Sequence, residues 1–179
     1  MTQIPQHLAK VAESDRPEIP RTADERTTLT AYLEWHRETL ALKCADLPQE
    51  AVSARAVPPS TLSLHGLVRH LAGVERWWFR IQFAGEDVPL LHYSDDEPDQ
   101  DFDRLDGDFG AALATWQAEC DRSREILAAA PSLDATGTSK VTGEPFSLRW
   151  MVMSMIAEYA RHNGHADLLR EATDGTTGR

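Results

Sequence analysis

Cysteine is nearly absent from this chain of 179 residues: there are two, Cys44 and Cys120. They form no CxxC pair, and both fall in stretches with helical spacing. A disulfide framework is therefore excluded, and the two read as buried small hydrophobes. Such cysteine usage fits a reducing cytosol, so the expected location is cytoplasmic. Long apolar runs are also missing. No segment is long enough to span a bilayer, so no membrane partner is expected. The opening stretch, MTQIPQHLAKVAESDRPEIP, lacks the continuous hydrophobic segment of a signal peptide. Positive charge is in deficit, with 18 Lys and Arg against 29 Asp and Glu, a net charge of −11 at pH 7. Binding to phosphate backbones needs clustered cations, so no nucleic-acid partner is expected.

What is present is ordinary globular composition, 41% hydrophobic and 26% charged. A chain of this length suits one domain, which buries about 70% of its unfolded surface and needs no disulfide staples. Residues 1–21 read as a flexible N-terminal leader and residues 22–179 as a helical domain. The capping-box spelling Thr22-Ala-Asp-Glu25 opens a first helix, with Leu29, Tyr32, Leu33, His36, Leu40, Cys44 and Leu47 at helical spacing and Pro48 as its stop. After the Pro58-Pro59-Ser60-Thr61 turn, Thr61 or Ser63 caps a second helix. Its stripe is Leu67, Leu71, Val74, Trp78 and Ile81, and Gly85 is its stop.

Residues 86–108 hold ten Asp or Glu and almost no periodicity. Asp99, Asp101 and Asp103 alternate as in a calcium loop, but Arg104 stands where an EF-hand requires Gly. The segment reads as a long, solvated acidic loop. A third helix spans about Phe109 to Ala130, with Ala112, Leu113, Trp116, Cys120 and Leu127 inward. The Gly- and Thr-rich segment SLDATGTSKVTGEP is a loop with room for a short extended stretch. Ser147 caps a fourth helix whose inner stripe is Met151, Met155, Glu158, His162, His165 and Leu169, with Gly175 past its end. The expected fold is all-α, an antiparallel four-helix bundle with its long connection between helices two and three.

The chemistry lies on the fourth helix. Glu158 and His162 stand four residues apart, so they share a face with Met151, Met155 and Leu169. An ionised carboxylate in an apolar stripe costs several kcal/mol unless compensated. A divalent ion is one compensation, and His70 on the second helix supplies a third ligand of suitable type. Three protein ligands leave a position open, as catalytic sites do. Nitrogen and oxygen donors suit zinc, nickel, iron or manganese. A plain alternative remains open: Glu158 and His162 hydrogen-bond each other, with Arg161 nearby. His165 has three readings, as a ligand in place of Glu158, as a partner behind the ligands, or as a substrate contact. His36 reads as packing, and His65 and His92 as capping or loop residues. One ring of the Trp77-Trp78 pair joins the core, and Arg76 is a candidate contact for an anionic substrate.

The segments LSLHGLVRHLAGVERWWFR (62–80) and EYARHNGHADLLREATDG (158–175), with RTADERTTL, AVPPSTLSL and GEPFSLRW, resemble the DinB-like metal-binding bundle superfamily. They are similar above all to its actinobacterial branch of mini-circle proteins. The resemblance covers nearly the whole chain from about Pro20. It implies a four-helix bundle, a homodimer, and a divalent metal to which His70 of the H-L-A segment is a ligand. Many members carry two histidines four apart on the last helix. Here Glu158 stands four before His162, and Ala166 four after it. The Glu-x3-His pair is similar to the mycothiol-dependent maleylpyruvate isomerase branch, whose His, Glu, His set maps onto His70, Glu158 and His162. By this resemblance the metal, zinc foremost, activates a low-molecular-weight thiol such as mycothiol toward a small-molecule electrophile. The activity implied is a thiol S-transferase or isomerase, with His165 or a water taking the proton. A metal-dependent hydrolase and a noncatalytic metal- or ligand-binding bundle are the alternatives.

Overall fold

The computed structural model describes residue 16, residues 18–105 and residues 107–178. Most of the expected leader therefore lies outside the described residues. The described chain is mostly helical, which agrees with the all-α expectation. It divides into two compact units, one formed by residues up to Leu64 together with Ile156–Arg179, the other by His65–Met155.

In the first unit, α1 spans Glu25–Cys44. Its cap differs from the expected one. Asp24, not Thr22, is the N-cap, and its carboxylate accepts from the Thr27 backbone N–H at 3.0 Å and the Thr27 hydroxyl at 2.6 Å. The helix stops at Cys44, before Pro48 is reached, and Asp46 follows in the left-handed region with φ 59°. Leu33, Leu40 and Cys44 are buried as expected, but Tyr32 is exposed. A short turn of helix, α2, covers Gln49–Val52. The other contributor is the C-terminal part of the last helix. There Arg170 donates to the carbonyls of Lys43 and Ala45 at 3.2 and 2.6 Å. A cation thus satisfies carbonyls that α1 leaves open at its C-terminus.

In the second unit, α3 (Leu64–Glu75) runs directly into a π-helical segment, Arg76–Phe83. The wider turn is closed by the Ala84 amide bonding to Phe79 O at 2.9 Å. The stretch ends at Gly85, whose φ of 70° suits a residue without Cβ. The buried positions include Val68, Ala72, Glu75, Phe79 and Gln82 beside the expected Leu67 and Leu71. Ile81 is buried as expected too, so only Val74 and Trp78 fall outside the inner face, where Glu75 and Phe79 take their places. A short helix, α4 (Gln100–Asp103), interrupts the acidic loop. Helix α5 spans Phe109–Ala129, with Asp108 as its N-cap.

The Gly- and Thr-rich segment forms a small antiparallel hairpin of β1 (Thr136–Thr138) and β2 (Pro145–Ser147), with Gly137 opposite Phe146. The final helix, α6, is Leu148–Asp174, and Ser147 Oγ accepts from the Trp150 amide at 3.2 Å, as a cap should. Gly137 has no room for a side chain. A Cβ there would lie 2.7 Å from Phe146 Cζ and 3.1 Å from Phe83 Cα. Gly137→Ala is expected to lower stability by about 1–3 kcal/mol, the usual cost of overpacking. Gly107→Ala, which meets nothing within 4 Å, is the matched control in thermal melts. Equal melting temperatures for the two would refute the packing argument.

Candidate metal centre

On α6 the buried residues run Met151, Met155, Tyr159, His162, Ala166 and Leu169. These steps of three and four put Tyr159 and Ala166 at the centre of the stripe. Glu158 and His165, expected on the inner face, lie instead at its edge and are half-buried. An edge position lets a carboxylate keep part of its hydration, so the cost of a fully buried charge does not arise.

His162 Nε2 is 3.0 Å from Glu158 Oε1, the pairing that four-residue spacing allows. Its other ring nitrogen, Nδ1, is 3.3 Å from Nδ1 of His165. His162 is thus engaged on both sides of its ring. The pKa of His165 is lowered, first by burial and then by the neighbouring His162 and Arg161. His36 packs as expected. Its backbone carbonyl accepts from the Asn163 side-chain amide at 3.0 Å, and burial lowers its pKa.

On α3, His70 is half-buried, and its Nδ1 is 2.8 Å from Asp101 Oδ2 in the acidic loop. The ring of Phe102 stacks on it at 5.1 Å with an interplanar angle of 28°. Arg69 holds the same stretch of α4 in place by donating to the carbonyls of Gln100 and Asp101. Asp101 therefore belongs to no calcium loop; its carboxylate is spent on His70 and the Phe102 amide. This residue was not legible as a site residue. It lies 31 positions from His70 in a segment without periodicity. The only available signal was that α3 carries a histidine beside its apolar stripe and the loop is rich in carboxylates.

Glu158 and His162, paired on α6, and His70 on α3 each offer one ligand atom of a type that could hold a metal ion. His165 is not a member of that group. The donor set is two imidazole nitrogens and one carboxylate oxygen, which fits a divalent first-row metal. Two contacts strengthen the fit. The Asp101 carboxylate engages Nδ1 of His70 and so leaves Nε2 as the nitrogen to offer. His165 stands behind Nδ1 of His162 in the same manner. Metal-bound histidines characteristically have their second nitrogen held this way.

Other candidates are placed elsewhere. His65 is fully buried in the first turn of α3, edge-on to Phe109, so it is no loop residue. His92 lies in the loop with φ 52°; burial first, then Arg69, lowers its pKa to about 4. Both tryptophans of the Trp77-Trp78 pair are half-buried. Trp78 packs edge-on against Phe146 and Trp150. Arg76 is bound to Glu119 at 2.6 Å and to Pro89 O at 3.0 Å, which removes it as a contact for an anionic substrate.

Comparison with known proteins adds one finding. The family model described as mycothiol-S-transferase matches residues 28–175 of the chain. No curated protein matches it. Among the described residues, no helix is long and apolar enough to cross a membrane.

Proposed function

The chain belongs to the mycothiol S-transferase family, and from that premise we propose that it is a divalent-metal-dependent thiol S-transferase using mycothiol. His70, Glu158 and His162 hold the ion, with zinc the best match to the donor set. When bound, the ion contributes charge, which lets a coordinating thiol give up its proton near neutral pH.

The protein's own residues do the rest. Asp101 accepts the Nδ1 proton of His70, which fixes the tautomer and points the lone pair of Nε2 outward. With Nε2 of His162 as a ligand atom, its proton must sit on Nδ1, and the neutral His165 accepts it. Three protein donors leave room for the thiol sulfur. The transfer balances simply: the sulfur lone pair forms a bond to an electrophilic carbon, the leaving group departs with its bonding pair, and the thiol proton is released to solvent. The observation that carries this reading is the pairing of each ligand histidine with a second polar group, Asp101 for one and His165 for the other.

Metal analysis followed by titration calorimetry tests it. About one equivalent of divalent metal is expected in the purified protein, with a mycothiol binding heat that chelation abolishes and zinc restores. Mycothiol binding that survives chelation would overturn the reading. Turnover of an ester or amide without any thiol would favour water activation instead.

A further inference from the structure

The second unit contains a cavity of about 610 Å³ beside His70. That is ample for a small organic molecule. Its walls are apolar, with Val74, Trp77, Leu91 and Phe102 among the lining residues. The same Phe102 stacks on His70, so the wall continues directly onto a ligand of the candidate centre. Gly73 lets the helix and the loop close against each other: a Cβ there would lie 3.2 Å from Leu91 O.

The charge in the lining has one sign. Asp95, Asp99 and Asp101 contribute, and no Lys or Arg does. Asp101 is committed to His70. Among the described residues, no ion pair involves Asp95 or Asp99, and both are exposed. The guanidinium groups nearby are turned away: Arg69 to the carbonyls of Gln100 and Asp101, Arg76 to Glu119 and Pro89 O, Arg104 to Glu97.

We propose that this cavity takes the second substrate of the transfer, and that it selects a flat apolar electrophile bearing no negative charge. The assignment to the electrophile rests on the transferase reading above; the selectivity of the cavity does not. A carboxylate substrate would meet two unpaired carboxylates and find no cation. A neutral ring would bury apolar surface on Trp77 and Phe102, and a cationic end would gain from the two aspartates.

Three probes of one shape separate these terms: 1-naphthylmethylamine, 1-naphthalenemethanol and 1-naphthoate. Their binding is measured by titration calorimetry on the chelated protein and on the metal- and mycothiol-saturated protein. The amine and the alcohol are expected to bind at least about tenfold more tightly than the carboxylate in both forms. Trp77→Ala should weaken all three by about tenfold. Because that variant removes a half-buried ring, the exposed pair Asp95→Asn with Asp99→Asn provides a second test. It should bring the amine and the alcohol within about twofold of each other. Naphthoate binding as tightly as the amine overturns the proposal, as does unchanged binding in a folded Trp77→Ala protein. Probe binding as expected in a protein that takes up no mycothiol would refute the transferase reading while upholding the selectivity.

Discussion

His70→Ala is expected to strip the purified protein of its metal, with affinity falling by more than about 100-fold. Loss of an outer partner alone costs about 10–100-fold in metal affinity, and loss of a ligand costs more. The donor group has three members, so removing His70 leaves Glu158 and His162, which already satisfy each other at 3.0 Å. Two donors on one helix turn are a poor site for a divalent ion. Asp101→Asn is the graded comparison. It keeps a hydrogen-bond acceptor near Nδ1 of His70 but removes the charge, so affinity should drop by about 10–100-fold with the metal still detectable. Asp103→Asn, on the same short helix but outside the group, should change nothing. Metal content after gel filtration, with competition against a chelating dye, reads all three. Full metal content in His70→Ala would remove the site. An Asp101→Asn protein with unaltered affinity would show instead that the loop contact serves packing alone. Chelation should also lower the melting temperature, because an ion that binds only the folded chain stabilises it by mass action.

How far the sequence carried depends on which interactions are local. The helix ends were readable where a side chain caps its own helix, as Ser147 does for α6, or where Gly175 follows with φ 76°. They were less readable at α1, because Thr22 and Asp24 both spell a cap and only the backbone geometry chooses Asp24. Helical periodicity placed Glu158 and His162 on one face correctly. His162 is buried in that stripe as expected, but Glu158 lies at its edge and Tyr159 takes the central position. The error is one residue, about 100° of helix rotation, and it separates a fully buried carboxylate from one at the margin. On α3 the departure is partial: Glu75 and Phe79 are buried where Val74 and Trp78 were expected, while Leu67, Leu71 and Ile81 are buried as the periodicity predicts. Asp101 was not readable at all. Its role comes from a tertiary contact between an aperiodic loop and a helix, and no local pattern encodes it. Arg76 failed in the opposite direction. An arginine beside an apolar stripe invites a substrate, but Glu119 on α5 had already claimed it.

Glu119→Ala is expected to lower the stability of the second unit by about 3 kcal/mol. Glu119 is only 3% exposed. Its carboxylate takes Arg76 at 2.6 Å and Arg80 at 3.0 Å, so one anion serves two cations from the π-helical segment. Removing it leaves Arg76 without its carboxylate and Arg80 with Glu86 alone. Loss of one partner from such a buried arrangement costs about 3–5 kcal/mol, more than the intact pair contributes. The lower end is expected here, since the Arg76 and Arg80 side chains retain 15% and 20% exposure and can turn partly toward water. Glu119→Gln preserves the shape and one acceptor oxygen, so its cost should fall to about 1–2 kcal/mol.

Glu86 will not replace the missing charge. It already binds Arg80 at 2.6 Å and Arg122 at 2.5 Å from the other side. Burial pushes its pKa up, but the hydrogen bonds from Arg80 and Arg122 outweigh that and leave it lowered. A lowered carboxyl pKa stabilises the fold above the unfolded value and ceases to do so as pH falls through the folded one. Its contribution should therefore disappear only below the ordinary carboxylate range. Urea unfolding of the two Glu119 variants at neutral pH measures the difference. If Ala and Gln at position 119 cost the same, the charge is immaterial and the cluster is held by packing. If Ala costs about 2 kcal/mol more, the carboxylate organises the segment that carries Trp77, and with it a wall of the cavity beside His70.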